Sequence, residues 1–398
     1  MKVAFLSTSS PDAPLLVGRL LPLAKEMVRL GHTVHLLVLH HDYRPVPVRQ
    51  EAGVYIHEVA QMHVRGWGDA RRPLSGWPLL RVAFTATLAL WRRARQLEVD
   101  AYHICKPQPM NGLAGWLAAR WKGRPCFLDC DDYEAEANRF AGRWQRAVVR
   151  AFEDGLPRHM AGVSVNTRFL AERVRSLGVA PGRIVHVPNG VERARFARED
   201  AQAGLRLRER YGLAGRPVVL YLGTLSLTGH PLDLLLTAFA RVSRQMPEAH
   251  LVLVGGGEDR PTLERRVAEM GLRERVTFVG AVPPAEVPDY LSLGDVSVDP
   301  VLDDAVARAR SPLKIFESMA GGLPVVTGDV GDRREILGEG RAGLLVPPGD
   351  PQALAEGIVA LLRDPVRRRQ MAAAGRERAE DYMWDRLVGR FLRVYEVA

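Results

Sequence analysis

Short apolar segments alternate with longer amphipathic ones along most of this chain, and this alternation limits the fold more than any other feature. In the first half, apolar segments predict strands at residues 3–6, 33–39, 54–58, 101–105, 125–130, 162–165 and 184–187. Helical patterns fall between most of them, near residues 78–97, 110–121, 139–159 and 167–177. Strands that alternate with helices predict an α/β fold with a doubly wound parallel sheet.

The alternation stops at residues 188–216, which open with PNG and are followed by Pro217. It then restarts, with strands predicted at residues 218–222, 251–254, 276–279, 296–298, 325–326 and 344–346. Three amphipathic helices are predicted after these strands, near residues 351–362, 365–381 and 384–395. We therefore expect two α/β domains that face each other, with ligands bound in the cleft beyond the carboxyl ends of the strands.

The length of 398 residues agrees with two domains. The sequence has no apolar run long enough for a membrane span, and its N-terminal apolar run is too short for a signal peptide. Three cysteines do not make a disulfide framework in a chain of this size. These features predict a cytoplasmic protein.

The positive charge of the chain is concentrated in its first half. Residues 1–196 contain 28 basic and 17 acidic side chains, whereas residues 197–398 contain 27 and 29. Arg139, Arg143, Arg146 and Arg150 recur at helical spacing, with Trp144 between them. This pattern is typical of a solvated helix face, or of a patch for a membrane surface or an anionic acceptor. No nucleic-acid-binding motif is found, so we expect no nucleic-acid partner.

Residues 311–326, SPLKIFESMAGGLPVV, contain the most informative motif. Pro312 favours the start of a helix, and Lys314 and Glu317 then lie on one face of it. A helix N-terminus with a lysine binds phosphate, and a carboxylate one turn later accepts the hydroxyls of a ribose. The alternative is a surface Lys–Glu pair with no ligand.

This segment resembles the donor-binding region of GT-B glycosyltransferases, specifically the retaining family 4, and the resemblance extends over nearly the whole chain. The other motifs that carry it are VPNGVE at residues 187–192, YLGT at 221–224, LVLVGGG at 251–257, FVG at 278–280 and GHTV at 31–34. Together these motifs are specific, although each glycine run alone is a weak signal.

The resemblance implies a GT-B fold with an acceptor-binding domain at residues 1–196 and a donor-binding domain at 197–380. The C-terminal helix, about 381–398, would pack back on the first domain. Glu317 would bind the donor ribose and Lys314 would lie near its diphosphate, close to Ser311 and Leu313. The remaining residues implied at the donor are Gly223, Thr224, Gly255 and Val279. Gly18 would lie in the loop near the acceptor.

The sequence departs from the usual family pattern at three places. Thr224 and Thr228 stand where the family often has an arginine and a lysine, and Ala309 stands where it often has a second glutamate. Arg308 and Arg310 are nearby candidates for binding the diphosphate. The third departure is DCDD at residues 129–132, where a histidine commonly ends the strand.

Three carboxylates therefore cluster at the predicted end of a first-domain strand. Clustered carboxylates raise one another's pKa, which favours a general base or binding of acceptor hydroxyls. Asp131 is the first candidate for the group that faces the reacting sugar, Asp132 is the second, and Asp129 is expected on the acceptor side. The alternatives are structural caps, an arginine pairing or a metal site.

His103 and Lys106 end another predicted strand. His103 is a candidate catalytic residue in the cleft, or else a packed histidine, and Lys106 is a candidate contact for the acceptor or the donor phosphates. With His103, the cysteines Cys105, Cys126 and Cys130 match no zinc motif, so buried free thiols are expected.

The expected function is retaining transfer of a hexose from a UDP- or GDP-sugar to a glycan, a lipid-linked molecule or another cell-envelope acceptor. No metal or other cofactor is expected. The anionic inner face of the cell membrane is a candidate location within the cytoplasm. Two alternatives stay open: a non-catalytic GT-B binding partner, and a GT-B sugar-nucleotide epimerase.

Overall fold

The structure of the protein is a computed structural model that describes residues 1–13, 16–66, 72–140, 142–197, 200 and 202–397. Two parallel β-sheets, each covered by helices, make up its framework. The prediction of two doubly wound α/β domains is confirmed. Strands of the first sheet lie within residues 2–186, and strands of the second within 218–346.

The first sheet has the strand order β10-β9-β8-β7-β1-β2-β4-β3, and all described pairs are parallel except β3 with β4. Its strands are β1 (Lys2–Leu6), β2 (Thr33–His40), β3 (Arg49–Glu51), β4 (Val54–Gln61), β7 (Ala101–Cys105), β8 (Cys126–Cys130), β9 (Gly162–Val165) and β10 (Ile184–His186). A separate antiparallel pair consists of β5 (Val64–Arg65) and β6 (Arg72–Pro73).

The helices of the first half are α1 (Leu21–Arg29), α2 (Gly76–Gln96), α3 (Pro109–Lys122), α4 (Glu134–Ala137), α5 (Arg143–Gly155), α6 (Arg168–Ser176) and α7 (Arg193–Phe196). A π-helical turn, Leu16–Leu20, precedes α1. One buried cluster joins α2 and α3 to one face of the sheet, and another joins α1 to the opposite face.

The second sheet is parallel throughout its described pairs, with the order β13-β12-β11-β14-β15-β16. Its strands are β11 (Val218–Leu222), β12 (His250–Val254), β13 (Val276–Gly280), β14 (Val296–Asp299), β15 (Val325–Gly328) and β16 (Gly343–Val346). The helices are α8 (Ala203–Arg210), α9 (Leu232–Gln245), α10 (Arg260–Glu269), α11 (Val287–Leu293), α12 (Ala305–Arg308), α13 (Leu313–Ala320), α14 (Arg333–Ile336), α15 (Pro351–Arg363), α16 (Pro365–Ala379) and α17 (Trp384–Leu392).

The last helix, α17, leaves the second half of the chain and packs against α1. Trp384, Leu387 and Phe391 are buried in the same cluster as Val3 and Phe5 of β1. The apolar stripe of α17 therefore completes the core on that face of the first sheet. None of the helices in the described ranges combines the length and apolarity that a membrane crossing needs.

The predicted strands agree with the observed ones to within three residues at either end. The sequence did not predict β3, β5, β6 or the π-helical turn, because segments of two to five residues carry little periodicity. The helix predicted from residue 139 begins instead at Arg143, because Gly142 has an extended backbone (φ −146°, ψ 151°). Arg139 therefore does not share a helix face with Arg143, Arg146 and Arg150.

Candidate active site

Two glycines at the carboxyl ends of β11 and β12 bring the two backbones into very close contact. Gly255 has a φ of 143°, and a Cβ atom added to it would lie 1.8 Å from the carbonyl oxygen of Gly223. Gly223 has a φ of 151°, and a Cβ there would lie 3.2 Å from Cε of Lys314. Glycine at these two positions lets the two strand ends pack closely against each other and against the Lys314 side chain.

Lys314 lies in the first turn of α13, directly over the end of β11. Its ammonium is 3.2 Å from Oδ1 of Asp299 and 4.7 Å from the ring centroid of Tyr221. Burial lowers the pKa of Lys314, but Tyr221 and Asp299 more than offset this, so the pKa lies above its usual range. Arg333 also binds Asp299, at 2.9 Å, which leaves more positive than negative charge here.

Glu317 follows Lys314 by one helical turn and is bound by an arginine that the sequence analysis missed. The Nη2 atom of Arg195 donates to Oε1 of Glu317 at 2.8 Å and to the carbonyl oxygen of Pro284 at 2.9 Å. Burial raises the pKa of Glu317. Lys314 and Glu317 therefore do not form a surface pair, since each has its own partner and both side chains are largely buried.

Two arginines reach across the boundary between the sheets, close to the position where Thr228 departs from the family pattern. Arg139, from the first half, donates to the hydroxyl of Thr228 and lies 2.7 Å from Asp259. Arg310, just before α13, donates to the carbonyl oxygen of Gly229 and lies 3.8 Å from Asp132. Arg139 and Arg310 thus bring positive charge to the loop between β11 and α9. The other candidate, Arg308, pairs with Asp303 on the surface.

On the first-domain side, Lys106 is surrounded by acidic side chains. Its ammonium is 2.6 Å from Glu134, 3.4 Å from Asp131 and 3.9 Å from Asp132. Lys106 has a φ of 71°, so a left-handed backbone follows β7 and turns the lysine toward this cluster. Gln108 donates to the other oxygen of Glu134 at 2.6 Å.

Asp131 differs from its neighbours because its charge is incompletely paired. Burial raises the pKa of Asp131 to about 7, despite the nearby Lys106. Its Oδ1 atom is buried without a hydrogen bond within the described residues, although it lies 3.4 Å from the Lys106 ammonium. A carboxylate with a pKa near 7 is suited to accept or hold a proton at neutral pH.

Asp129 does not pair with Lys106 as Asp131, Asp132 and Glu134 do, and its burial contradicts the expectation that it contacts an acceptor. It is buried and forms a two-pronged ion pair with Arg19, at 2.7 and 2.8 Å, while Ser164 donates to it at 2.6 Å. Burial alone would raise the pKa of Asp129, but the Arg19 guanidinium lowers it below its usual range. The arginine pairing considered from the sequence is what the structure contains.

The same Arg19 connects the first sheet to the start of α13. It donates to the side chain of Asn189 at 2.9 Å. Asn189 in turn donates its backbone N–H to Ser311 Oγ and its side-chain amide to Ser311 O, at 3.0 and 2.7 Å. Leu313 lies against Gly18, where a Cβ atom would come within 2.5 Å of it. Ser311, Leu313 and Gly18 therefore hold the two halves together at the beginning of α13.

His103 lies in the core instead of the cleft, which contradicts its prediction as a catalytic candidate. Its ring stacks on Phe5 and its Nδ1 atom is 2.9 Å from the hydroxyl of Tyr395. Burial lowers the pKa of His103 to about 4, so the ring is neutral at pH 7. Cys105, Cys126 and Cys130 are buried free thiols, as expected.

Val279 and Thr224 are the two remaining residues of the predicted donor set. Val279 is half-buried at the end of β13 and packs against the apolar cluster around Leu222. Thr224 follows Gly223, and its carbonyl oxygen accepts a hydrogen bond from the Tyr221 hydroxyl at 3.1 Å. Both therefore lie at strand ends of the second sheet, and within the described residues no side-chain hydrogen bond sets a role for either.

Two family sequence models match the two halves of the chain. The model described as "Glycosyl transferase 4-like domain" matches residues 18–190, and the one described as "Glycosyl transferases group 1" matches residues 216–364. A D-inositol 3-phosphate glycosyltransferase of Kineococcus radiotolerans is 30% identical over 94% of this chain and 88% of its own length. The chain belongs to the group 1 glycosyltransferases of the family 4 type.

Other relatives agree with this membership. The glycosyltransferase is 31% identical to an alpha-D-kanosaminyltransferase of Streptomyces kanamyceticus, over 71% of this chain and 72% of that one. It is 34% identical to a GDP-mannose-dependent alpha-(1-6)-phosphatidylinositol monomannoside mannosyltransferase of Mycolicibacterium smegmatis, over 56% of this chain. The match spans 58% of that relative's length.

Solved structures establish the fold. A sucrose-phosphate synthase from Thermosynechococcus elongatus superposes with a TM-score of 0.80 at 21% identity, covering 99% of this chain and 98% of that one. Anabaena HepE in complex with UDP and glucose gives a TM-score of 0.76 at 17% identity, with full coverage of both chains. The predicted GT-B fold of the glycosyltransferase is thereby confirmed.

Proposed function

We propose that this glycosyltransferase transfers a hexose from a nucleoside diphosphate sugar to an acceptor hydroxyl, with retention of the anomeric configuration. The observation that carries the proposal is the position of Lys314 and Glu317 on successive turns of α13, beside the carboxyl ends of β11 and β12. Lys314 would bind the diphosphate and Glu317 the ribose, with the base over the end of β13 near Val279. The crystal structures of HepE with UDP and with UDP-glucose support this choice of donor.

In the proposed reaction, the bond between the anomeric carbon and the diphosphate oxygen breaks. The acceptor hydroxyl forms its new bond to that carbon on the same face, and its proton passes to the departing phosphate. Lys314, Arg310 and Arg139 would stabilise the charge that develops on the diphosphate. No metal or other cofactor is part of this proposal, because these three side chains would supply the positive charge.

The acceptor would bind on the first domain, beside Lys106, Asp131 and Asp132. Asp131 would accept a hydrogen bond from the attacking hydroxyl and orient it. The names of the relatives that act on phosphatidylinositol mannoside or inositol 3-phosphate support an acceptor of the lipid-linked or polyol kind. A cytoplasmic protein working at the inner face of the cell membrane in envelope biosynthesis fits such an acceptor.

A thermal-shift panel of UDP, GDP, ADP and their glucose and mannose conjugates tests the proposal. Stabilisation by one nucleotide family, followed by slow release of the sugar from its conjugate, is the expected result. A ligand at 100 times its Kd adds about 2.7 kcal/mol of stability. Stabilisation without sugar release favours the non-catalytic binding partner, and conversion of the sugar without an acceptor favours the epimerase.

Replacing Lys314 by methionine should weaken binding of the nucleoside diphosphate about tenfold or more and leave binding of the nucleoside unchanged. The reason is that, within the donor, the ammonium would contact the diphosphate and not the nucleoside, and hydrogen bonds to charged groups contribute about 1.5–3 kcal/mol. Isothermal titration with both ligands measures the difference. Lys122→Met, at a lysine paired with Glu98 on the first domain, is the matched control. Equal loss for both ligands would argue against this role.

The rate of sugar release to water should rise with pH through about 7, where Asp131 loses its proton. The carboxylate then accepts the hydrogen bond of the attacking hydroxyl, whereas the protonated acid does not. Asp131→Asn should flatten this pH dependence and lower the plateau rate of sugar release above pH 7 by about 10- to 100-fold.

The control for Asp131 is Glu153→Gln, since burial also raises the pKa of Glu153 to about 7. Glu153 accepts hydrogen bonds from the backbone of Glu134 and Ala135 and is not one of the carboxylates that pair with Lys106. The pH dependence should therefore survive in Glu153→Gln. If it disappears there and persists in Asp131→Asn, the assignment of Asp131 is wrong.

A further inference from the structure

Exposed large apolar side chains concentrate on three helices of the first domain. Of the seventeen such side chains among the described residues, eight lie on α2, α3 and α5. This group includes every exposed tryptophan and phenylalanine in the described ranges, namely Trp77, Phe84, Trp121 and Trp144, with exposed fractions of 76%, 70%, 68% and 51%. Single exposed apolar residues are ordinary, but a concentration of this kind indicates a binding surface.

The eight residues form stripes on neighbouring helices, and we call them the outer helix surface. They are Trp77, Leu80 and Phe84 on α2, Leu113, Leu117 and Trp121 on α3, and Trp144 and Val148 on α5. Successive members of each set are three or four residues apart, which puts each set on one face of its helix.

The three helices lie side by side on the first sheet. The rings of Trp91 on α2 and Trp121 on α3 meet edge to face at 6.4 Å. A Cβ atom on Gly112 of α3 would lie 3.4 Å from Phe152 of α5. The apolar stripes therefore belong to adjacent helices that cover the same face of the sheet.

The charge of α2 and α3 is one-sided. Helices α2 and α3 contain six basic residues and no acidic residue: Arg81, Arg92, Arg93, Arg95, Arg120 and Lys122. Helix α5 adds Arg143, Arg146 and Arg150, of which the last two pair with Glu136, and it has two acidic residues near its C-terminal end, Glu153 and Asp154. Arg95 lies over the rings of Trp91 and Trp121, at 4.7 and 5.8 Å. Arginine beside exposed tryptophan and leucine is the composition of helices that lie in a membrane interface.

We propose that the outer helix surface docks on an anionic lipid bilayer. Trp77, Leu80 and Phe84 enter the boundary between headgroups and acyl chains, and the arginines bind headgroup phosphates. A protein partner or a second copy of the chain would have to bring acidic residues to match the excess charge, whereas an anionic bilayer provides it everywhere. Docking on a bilayer does not depend on the proposed transfer function. Only the expectation that the acceptor is itself a lipid-linked molecule in that bilayer rests on it.

Docking in this way places the cleft next to the bilayer. Helix α3 begins four residues after β7 ends, and α5 follows the end of β8 with only the short α4 between them. The first turns of these helices therefore lie at the sheet edge that carries Lys106 and Asp131. Arg139, just before α5, contacts Asp259 across the cleft. A lipid-linked acceptor would reach Asp131 without leaving the membrane.

Co-sedimentation of the full chain with vesicles tests the proposal. Vesicles of phosphatidylcholine alone are compared with phosphatidylcholine–phosphatidylglycerol mixtures at rising salt. The protein should bind the mixed vesicles and dissociate as salt increases. The double variant Trp77→Ser, Phe84→Ser should lower the partition coefficient by about tenfold or more. Arg81→Gln should lower it about fivefold.

The matched controls are Leu205→Ser and Val366→Ser, two exposed apolar residues of the second half, with exposed fractions of 55% and 53%. Both should bind vesicles like the unaltered protein. The thermal shift with nucleotide verifies that each variant is folded, since none of these residues lies on α13 or belongs to the candidate donor site. A protein that binds vesicles as expected but fails to release sugar would disprove the transfer function and leave the docking surface in place.

Three results would overturn the docking proposal. The first is no binding to mixed vesicles even at low salt. The second is equal loss of binding in the control variants. The third is a dimer in analytical ultracentrifugation that Trp77→Ser, Phe84→Ser dissociates, because the surface would then be an interface between copies of the chain.

Discussion

Glu317→Gln is expected to lower the affinity for the sugar nucleotide by about 100-fold, the largest effect of any single substitution on donor binding. The carboxylate would accept both hydroxyls of the ribose, and each hydrogen bond to a charged acceptor contributes about 1.5–3 kcal/mol. The amide has the same shape but only one accepting oxygen. Isothermal titration with the nucleotide identified by the thermal-shift panel measures the change.

The loss of the Arg195 pair adds a cost in folding stability to the lost hydrogen bonds. The Arg195 guanidinium is 2.8 Å from Glu317, and both side chains are largely buried, so the neutral variant leaves a positive charge without its partner. Unlike Lys314→Met, the substitution should weaken the nucleoside and the nucleoside diphosphate alike, because the ribose is common to both.

Glu339→Gln is the control for this substitution, since Glu339 is an exposed glutamate in the same half of the chain. Affinity and Tm of the control should match those of the unaltered protein. The pH dependence gives a second test. Burial raises the pKa of Glu317, so donor affinity should fall as the pH drops and the carboxylate takes up a proton. Unchanged affinity in Glu317→Gln would mean that the donor binds elsewhere.

Asp129→Ala is expected to destabilise the protein by about 3–5 kcal/mol, because it leaves the Arg19 guanidinium buried without its counter-ion. The pair is almost inaccessible to solvent, at 0% and 2% exposure, so water cannot replace the lost carboxylate. Arg19 also donates to the carbonyl oxygen of Val187 and to the side chain of Asn189. Its displacement would therefore loosen the link to Ser311.

Calorimetry together with tryptophan fluorescence measures the loss. Trp384 lies close to the pair, since the Arg19 guanidinium is 5.7 Å from its ring, and it reports on this part of the fold. Arg168→Ala is the control, because its pair with Glu335 also joins the two halves but is exposed at 67% and 46%. Arg168→Ala should lower the free energy of unfolding by less than about 1 kcal/mol. A similar cost for both substitutions would contradict the prediction.

The same pair predicts a dependence of stability on pH. The pKa of Asp129 is lower in the folded protein than in the unfolded chain, so its contribution is present above the unfolded pKa. This contribution to stability is lost as the pH falls through the pKa that Asp129 has in the folded protein. Replacing both partners, Arg19→Met with Asp129→Leu, should recover much of the stability and remove this part of the acid sensitivity.

Local patterns in the sequence were enough to predict the sheets and the centre of the candidate donor site. Strand and helix periods depend on neighbours within about ten residues, and these are read directly from the chain. Lys314 and Glu317 were found because one helical turn separates them and a proline precedes them. The roles assigned to these residues stay predictions until the donor is bound.

The pairings that hold this site together could not be read in the same way. Glu317 binds Arg195 over a separation of 122 residues, and Arg19 binds Asp129 over 110. No local signal marks Arg195 or Arg19 among the many arginines of the chain. The only hint of Arg195 was its closeness to the VPNGVE motif, and Arg19 had no hint beyond the neighbouring Gly18.

The sequence by itself determined the order and type of the elements, and hence two parallel sheets with a cleft where their strands end. Only the tertiary structure decided which charged groups face that cleft. Asp129 and His103 lie within β8 and β7, and Asp131 and Lys106 directly follow these strands. Even so, Arg19 neutralises Asp129, and Tyr395, 292 residues away, contacts His103. The physical reason is that burial and pairing depend on distant segments, whereas the position of a residue in a strand depends on its neighbours.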